Sequence, residues 1–141
     1  MIDALKSLNP AAVIVVSVAA FAVGALWYFP LLFVKAWLSD MRIDPAKARE
    51  EGKKRMPVVM SAAFLCTIVS TLALAVLIAS HHVAGPVKGA EFGLLAGAGL
   101  VAARQAVNSL FEMRTLRLFL IVAGHDVVQF AVAGAILGAW R

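Results

Sequence analysis

Six polar side chains lie within the two C-terminal apolar stretches of the chain, where a lipid-facing helix would carry none. They are Arg104, Gln105 and Asn108 in the first stretch and His125, Asp126 and Gln129 in the second. An ionisable residue at membrane depth is costly unless it is paired or wetted, so such a cluster is a candidate functional site. Arg104 and Asp126 have the chemistry of an ion pair, and a histidine such as His125 can act as a proton carrier.

A helical hairpin that spans Gly89 to Trp140 would bring the two halves of this cluster together. With its turn near residue 115, Arg104 and Asp126 each lie eleven residues from the turn, and Gln105 and His125 are also equidistant from it. The spacing predicts a buried ion pair between Arg104 and Asp126. It also predicts that the amide side chains of the cluster form hydrogen bonds between the two helices.

The elements that must position this cluster are membrane-spanning helices. The chain has 141 residues, of which 62% are hydrophobic and 15% are charged, whereas soluble domains are about 45–50% apolar and about 25% charged. Since a spanning helix takes about 20 residues, we predict an all-α, polytopic membrane protein with four helices in one antiparallel bundle. The predicted spans are about 10–33, 57–80, 89–110 and 116–139, with a polar surface loop over 34–56 that contains a short helix beginning at Asp44-Pro45.

Small and aromatic residues mark the packing faces and the membrane boundaries. Glycines recur at four-residue spacing on the third and fourth spans, a pattern that lets two helices approach closely; they are Gly89, Gly93, Gly97, Gly134 and Gly138. Trp27, Tyr28, Trp37 and Trp140 form a predicted interfacial aromatic belt. Pro30 is expected to end or kink the first helix, and the alternative to a belt is a kinked half-helix that lines a cavity with Tyr28.

Positive charge predicts the orientation of the bundle. Of the 13 Lys and Arg residues, seven lie in the loop between spans one and two, and two, Arg114 and Arg117, lie in or next to the loop between spans three and four. Three lie at the opposite end, and Arg104 lies within the membrane. The positive-inside rule therefore predicts that loops 34–56 and 111–115 are cytoplasmic and that both termini are external, in a bacterial inner (plasma) membrane.

Two motifs resemble a known family. They are Gly24-x-Leu26-Trp27-Tyr28-x-Pro30-Leu31-x-Phe33-x-x-x-Trp37 and, later, Leu110-Phe111-Glu112…Leu118-Phe119-Leu120-Ile121…Gly124…Gly134-Ala135-Ile136-Leu137. Together they resemble the bacterial membrane-protein family called domain of unknown function 1761, which implies a small four-span protein without an established activity. The chain departs from the family pattern at Val122, His125 and Asp126, where an Asn, an aromatic residue and a His are expected, so the Arg104–Asp126 pair is a feature of this branch.

The cluster supports three functional hypotheses. In the first, it mainly clasps helices three and four. In the second, Asp126 and His125 carry protons or small solutes through a homo-oligomer packed on the glycine stripes. In the third, the glycine stripes and the aromatic belt dock a larger membrane complex, a lipid or a quinone-like cofactor.

Other classes of protein are disfavoured by the sequence. An enzyme is not expected, because HExxH, GxSxG and suitably spaced paired carboxylates are missing. We expect no bound metal and no resident cofactor. The charges cluster in one loop rather than along a basic groove, so nucleic acid is not an expected partner and the lipid bilayer is. The single cysteine, Cys66, is predicted to be a small buried hydrophobe.

Overall fold

The protein is a bundle of helices joined by short connections. A computed structural model describes residues 8–29 and 32–140. Its elements are α1 (Pro10–Trp27), α2 (Val34–Asp40), α3 (Pro45–Ser80), α4 (Pro86–Ala96), a π-helical segment (Gly97–Ala102), α5 (Ala103–Phe111) and α6 (Leu116–Ala139). The residues that the structure describes contain helices and no strand, which confirms the predicted all-α class.

In the part of the chain that the structure describes, four helical segments are long and apolar enough to cross a membrane. They are Pro10–Trp27, Gly52–Ser80, Pro86–Phe111 and Leu116–Ala139. The fourth has the predicted bounds, whereas the first ends at Trp27 and not near residue 33. Pro30, which was expected to end or kink this helix, lies outside the described residues. Four such segments confirm the prediction of a membrane protein.

The second spanning helix is longer than the sequence suggested. The prediction placed a short surface helix before Pro57 and a separate span after it, whereas the structure has one continuous helix, α3, of 36 residues with Pro57 inside it. At 1.5 Å per residue this helix is about 54 Å long, against about 30 Å of hydrocarbon. Pro57 removes one backbone hydrogen bond but does not end the helix here. The charged residues before it therefore form the first turns of α3, which extend beyond the apolar part of the helix.

Side-chain caps start the helices at the predicted places. Asn9 Oδ1 accepts a hydrogen bond from the Ala11 backbone N–H at 2.9 Å, and Asp44 Oδ1 accepts one from Ala46 at 2.8 Å. Both caps are followed by proline at the first helical position, which loses no hydrogen bond there. Each cap satisfies a backbone N–H group that would otherwise lack a partner at the helix start.

The closest packing joins α4 to α6 through glycines. A Cβ atom at Gly93 would overlap the Phe130 carbonyl oxygen, and Cβ atoms at Gly89 and Gly134 would overlap each other's carbonyl oxygens. The backbones of the two helices therefore touch, as small residues allow in membranes. Because these glycines contact each other within one chain, they are not free to pack a second copy, as the homo-oligomer hypothesis required.

The packed core lies at the end of the bundle away from the α5–α6 turn. Val16 and Ser17 of α1 are fully buried, and the Ser17 hydroxyl donates to the Val13 carbonyl at 2.7 Å. The buried cluster combines residues from α1, α3, α4 and α6: Val13, Val16, Ala20, Leu74, Ala75, Ile78, Ala96, Ala133 and Leu137. The residues of the polar cluster on α6, His125 and Asp126, lie between this core and the turn.

An ion pair joins the end of α2 to the start of α6, at the turn end of the bundle. Arg117 donates to Asp40 through Nε at 2.7 Å and through Nη2 at 2.5 Å, which is the bidentate geometry that guanidinium and carboxylate groups favour. The hydrogen bond from Arg117 holds the pKa of Asp40 below its usual value. This contact fixes α2 against the start of α6, so residues near 40 and near 117 lie at the same end of the molecule.

The glycine contact predicts a position-specific loss of stability. Gly93→Ala should lower the free energy of unfolding in detergent by about 1–3 kcal/mol, because overpacking forces the backbones apart. The measurement is the thermal melting temperature of the purified protein. Gly99→Ala is the matched control on the same span, since its Cβ would meet only Leu95 Cδ1 at 4.0 Å. Equal effects of the two substitutions would contradict the proposed packing.

Candidate functional site

The polar cluster centres on two adjacent residues of α6, His125 and Asp126. They lie about ten residues from the start of the helix at Leu116, which corresponds to a depth of about 15 Å. His125 Nδ1 lies 2.7 Å from Asp126 Oδ1, and Gln105 Nε2 donates to Asp126 Oδ2 at 2.5 Å. Both oxygens of the Asp126 carboxyl group therefore lie within hydrogen-bond distance of a side-chain nitrogen, near the middle of the spanning helix.

Arg104 does not form the predicted ion pair with Asp126. Its side chain is exposed, and the salt bridges among the described residues pair Asp126 only with His125. Equal distance from the turn fixes the depth of two residues but not which side of each helix faces the other. The π-helical segment Gly97–Ala102 lies between the glycine face of α4 and the residues of α5. A π segment holds more residues per turn and so rotates α5 relative to α4, and Gln105 instead of Arg104 faces α6. Asn108 is likewise exposed.

Two glycines outside the predicted set make room for the site. A Cβ atom at Gly24 would lie 3.0 Å from His125 Nε2, and one at Gly124 would lie 3.3 Å from Trp27 Cζ2. The imidazole and the indole therefore each rest against a residue without a side chain. Both glycines belong to the motifs that carry the family resemblance. Their place in those motifs is the sequence signal that could have identified them.

Hydrogen bonds also clasp α1 to α6. Trp27 Nε1 donates to the Ile121 carbonyl at 2.9 Å, and Gln129 Nε2 donates to the Ala20 carbonyl at 3.1 Å. Each bond joins a side chain on one helix to the backbone of the other. The cluster on α6 therefore contacts span one as well as span three, whereas the sequence predicted only a clasp between spans three and four.

The aromatic residues at the end of α1 contact the site. The Tyr28 ring centroid lies 5.4 Å from that of His125 and 6.1 Å from that of Trp37. Trp27 and Tyr28 are half-buried and contact side chains or backbone of the bundle, so their arrangement matches the alternative in which Tyr28 lines a cavity. Trp140, at the other end of the bundle, is 47% exposed.

A groove of about 500 Å³ lies between α1, α3 and α6. Its lining is mostly apolar or aromatic, with the two titratable residues of α6 at one wall: Phe21, Gly24, Ala25, Tyr28, Met60, Ala63, Cys66, Thr67, Ser70, His125, Asp126 and Gln129. Cys66 is exposed on this groove and not buried as predicted, because the helices spread apart here. A concave, largely apolar surface with a few convergent polar groups is typical of a small-molecule site.

Two polar atoms in the cluster have unmet hydrogen-bonding capacity. His125 Nε2 and Gln105 Oε1 are buried without a partner, and most buried polar atoms in proteins have one. The hydroxyls of Thr67 and Ser70 bond to carbonyls of their own helix, at 3.0 Å each. Over residues 8–29 and 32–140, no three His, Cys, Asp or Glu side chains lie together as a metal site would need.

A second pocket, of about 210 Å³, lies on the other side of Gln105. It is open towards the α5–α6 turn, and Asn108, Glu112 and Arg114 contribute to its lining. Glu112 and Arg114 form an ion pair there. Gln105 therefore separates Asp126 from this polar pocket at the turn end of the bundle.

Arg104 and Gln105 are adjacent in the chain but differ in environment, and this difference gives a direct test of the site. Gln105→Ala should destabilise the protein by about 1–2 kcal/mol, because the Asp126 carboxylate loses one of its two hydrogen-bond donors. Arg104→Ala should leave the melting temperature in detergent nearly unchanged, since the side chain is exposed. If the arginine substitution were the more damaging of the two, the ion pair expected from the sequence would be the correct arrangement.

Comparison with known proteins supports the family resemblance that the motifs suggested. Neither the curated proteins nor the solved structures contain a match to this chain. One family model matches residues 11–138, which includes all four spanning segments and the whole groove. The chain belongs to the family described as "Protein of unknown function (DUF1761)".

Proposed function

We propose that this membrane protein binds a small membrane-soluble molecule in the groove between α1, α3 and α6, without catalysing a reaction. The observation that carries the proposal is the groove itself, a concave space with His125 and Asp126 at one wall, near the middle of the fourth spanning segment. Its volume of about 500 Å³ falls within the range of small-molecule sites, about 300–1,000 Å³.

The position of the groove supports access from the lipid phase. Ala25 of α1 and Met60, Cys66 and Ser70 of α3 line the groove and are exposed within apolar spanning helices. In a bilayer, such residues face the hydrocarbon. A molecule dissolved in the membrane would therefore enter sideways between α1 and α3 and present its polar end to α6.

The remaining polar residues act as a clasp in this proposal. Gln129 reaches the backbone of α1, and Gln105 reaches Asp126, so both amides hold neighbouring helices. Hydrogen bonds of this kind average only about 0.6 kcal/mol in membranes. They are better suited to specifying which helix faces meet than to stabilising the bundle as a whole.

We also propose an orientation in which the turn end of the bundle faces the cytoplasm of a bacterial cell. The Asp40–Arg117 ion pair places the segment 34–56 and the α5–α6 turn at one end, and nine of the 13 Lys and Arg residues lie in that segment or within two residues of that turn. Positive residues favour the cytoplasmic side. Both chain termini would then be external.

The single cysteine provides a reporter for the groove. Cys66 lines the groove and is exposed, so a bound molecule should slow its modification by a membrane-permeant maleimide. The probes are three bulky aryl compounds that differ in charge: neutral triphenylphosphine oxide, tetraphenylphosphonium and tetraphenylborate. At least one probe should reduce the modification rate of the purified protein several-fold, in a saturable manner.

The control separates occupancy of the groove from general effects of the probe. In a Cys66→Ala background, Leu95→Cys places a thiol on α4, at a position that is exposed and outside the groove. Its modification rate should not change with any probe. A Cys66 rate that is insensitive to all three probes, or one that changes in parallel with the control thiol, would refute ligand binding in the groove.

The orientation has its own test. Ser39→Cys and Ala84→Cys, each in the Cys66→Ala background, place exposed thiols at opposite ends of the bundle. A membrane-impermeant sulfonated maleimide should label the Ala84→Cys protein in intact cells and the Ser39→Cys protein only after permeabilisation. The reverse pattern would show that the turn end is external.

A further inference from the structure

We propose that the molecule bound in the groove is a lipophilic organic cation, with one positive charge and an apolar, aromatic body. This inference rests on the proposed function, since it assigns the ligand class of the same groove. It is carried by the charge balance around Asp126, by the positions of the aromatic rings and by the absence of lysine and arginine from the described lining of the groove.

The hydrogen bonds around Asp126 correspond to an ionised carboxylate. Oδ1 faces His125 Nδ1, and Oδ2 accepts from the amide of Gln105. A carboxylate accepts on both oxygens and needs no proton of its own for this arrangement. His125 then carries its proton on Nδ1 and donates it to Asp126.

His125 does not balance the charge of that carboxylate. A positively charged imidazolium would also carry a proton on Nε2, and that atom is buried beside Gly24 without an acceptor. A buried, charged donor without a partner is costly, so the ring is neutral. The pair of residues therefore has a net charge of −1.

The described side chains provide no other cation for Asp126. Among them, the group within ion-pair distance of Asp126 is His125, whose ring is neutral. Arg104 is exposed, and the groove lining contains neither lysine nor arginine. An uncompensated charge in the membrane interior is unfavourable. A bound cation would compensate it, whereas a phospholipid phosphate or a fatty-acid carboxylate would be repelled.

The rest of the groove suits the apolar body of such a cation. Asp126 retains 19% exposure of its side chain, so a ligand can approach it. Tyr28 and Phe21 line the same space, and aromatic faces attract cations through the quadrupole of the ring. Met60 of α3 adds a flexible, polarizable side chain on the opposite wall.

Charge selectivity tests the proposal, because two probes have nearly the same size and shape and opposite charge. In the Cys66 protection experiment, tetraphenylphosphonium should give half-maximal protection at a concentration at least about tenfold lower than tetraphenylborate, since like charges are repelled. Asp126→Asn should weaken protection by the cation about tenfold. Glu91→Gln removes the same charge from an exposed site outside the groove and should leave protection unchanged.

The outcomes separate this inference from the proposed function. If the neutral probe or tetraphenylborate protects Cys66 as well as the cation does, the groove binds ligands and the cation assignment is wrong. If no probe protects, both proposals fall. The comparison of the two ions uses the wild-type chain alone, so it stands even if Asp126→Asn does not fold.

Discussion

The backbone contact between α4 and α6 is the constraint on which the rest of the structure depends. A side chain at Gly93 or Gly134 would separate the two helices, because a Cβ atom would occupy the space that a carbonyl oxygen now fills. α6 is in contact with α1, α2, α3, α4 and α5. By fixing one face of α6 against α4, the glycines leave its other faces to meet α1 and α3, which is where the groove lies.

The first spanning helix shapes the groove by ending early. α1 is 18 residues long, and Trp27 at its end bonds to the carbonyl of Ile121, about 7–8 Å along α6 from the start of that helix. Tyr28, the next residue, therefore lies between the turn end and the middle of the bundle. Irregular backbone at membrane depth is tolerated where it is buried in protein or lines a cavity, and Tyr28 lines the groove.

Much of the fold could be predicted from hydropathy and helix signals. The bounds of α6, the caps at Asn9 and Asp44 and the number of spanning segments follow from local patterns that tertiary contacts did not override. The first helix and α3 were harder to predict. A proline is a probable but not an obligatory boundary, and α3 continues through Pro57 because its other backbone hydrogen bonds are retained.

The candidate site could be predicted only in part, for geometric reasons. The sequence alone shows which residues of α6 are polar. Which residues they contact depends on the rotation of the facing helix about its own axis. Nothing in the Gly97–Ala102 sequence alone distinguishes a π segment from an α-helix. A rotation by one residue exchanges Gln105 for Arg104, and it changes the site from a neutralised ion pair to a carboxylate held by neutral donors.

This exchange alters what the buried charge requires. A paired arginine would have satisfied Asp126 within the chain, and the cluster would then be complete as a clasp. Amide and imidazole donors stabilise a carboxylate through hydrogen bonds but do not cancel its charge. The same carboxylate lies on the wall of a groove between α1, α3 and α6. Among the described residues, no lysine or arginine forms a salt bridge with it, which is the physical reason to regard this groove as a binding site.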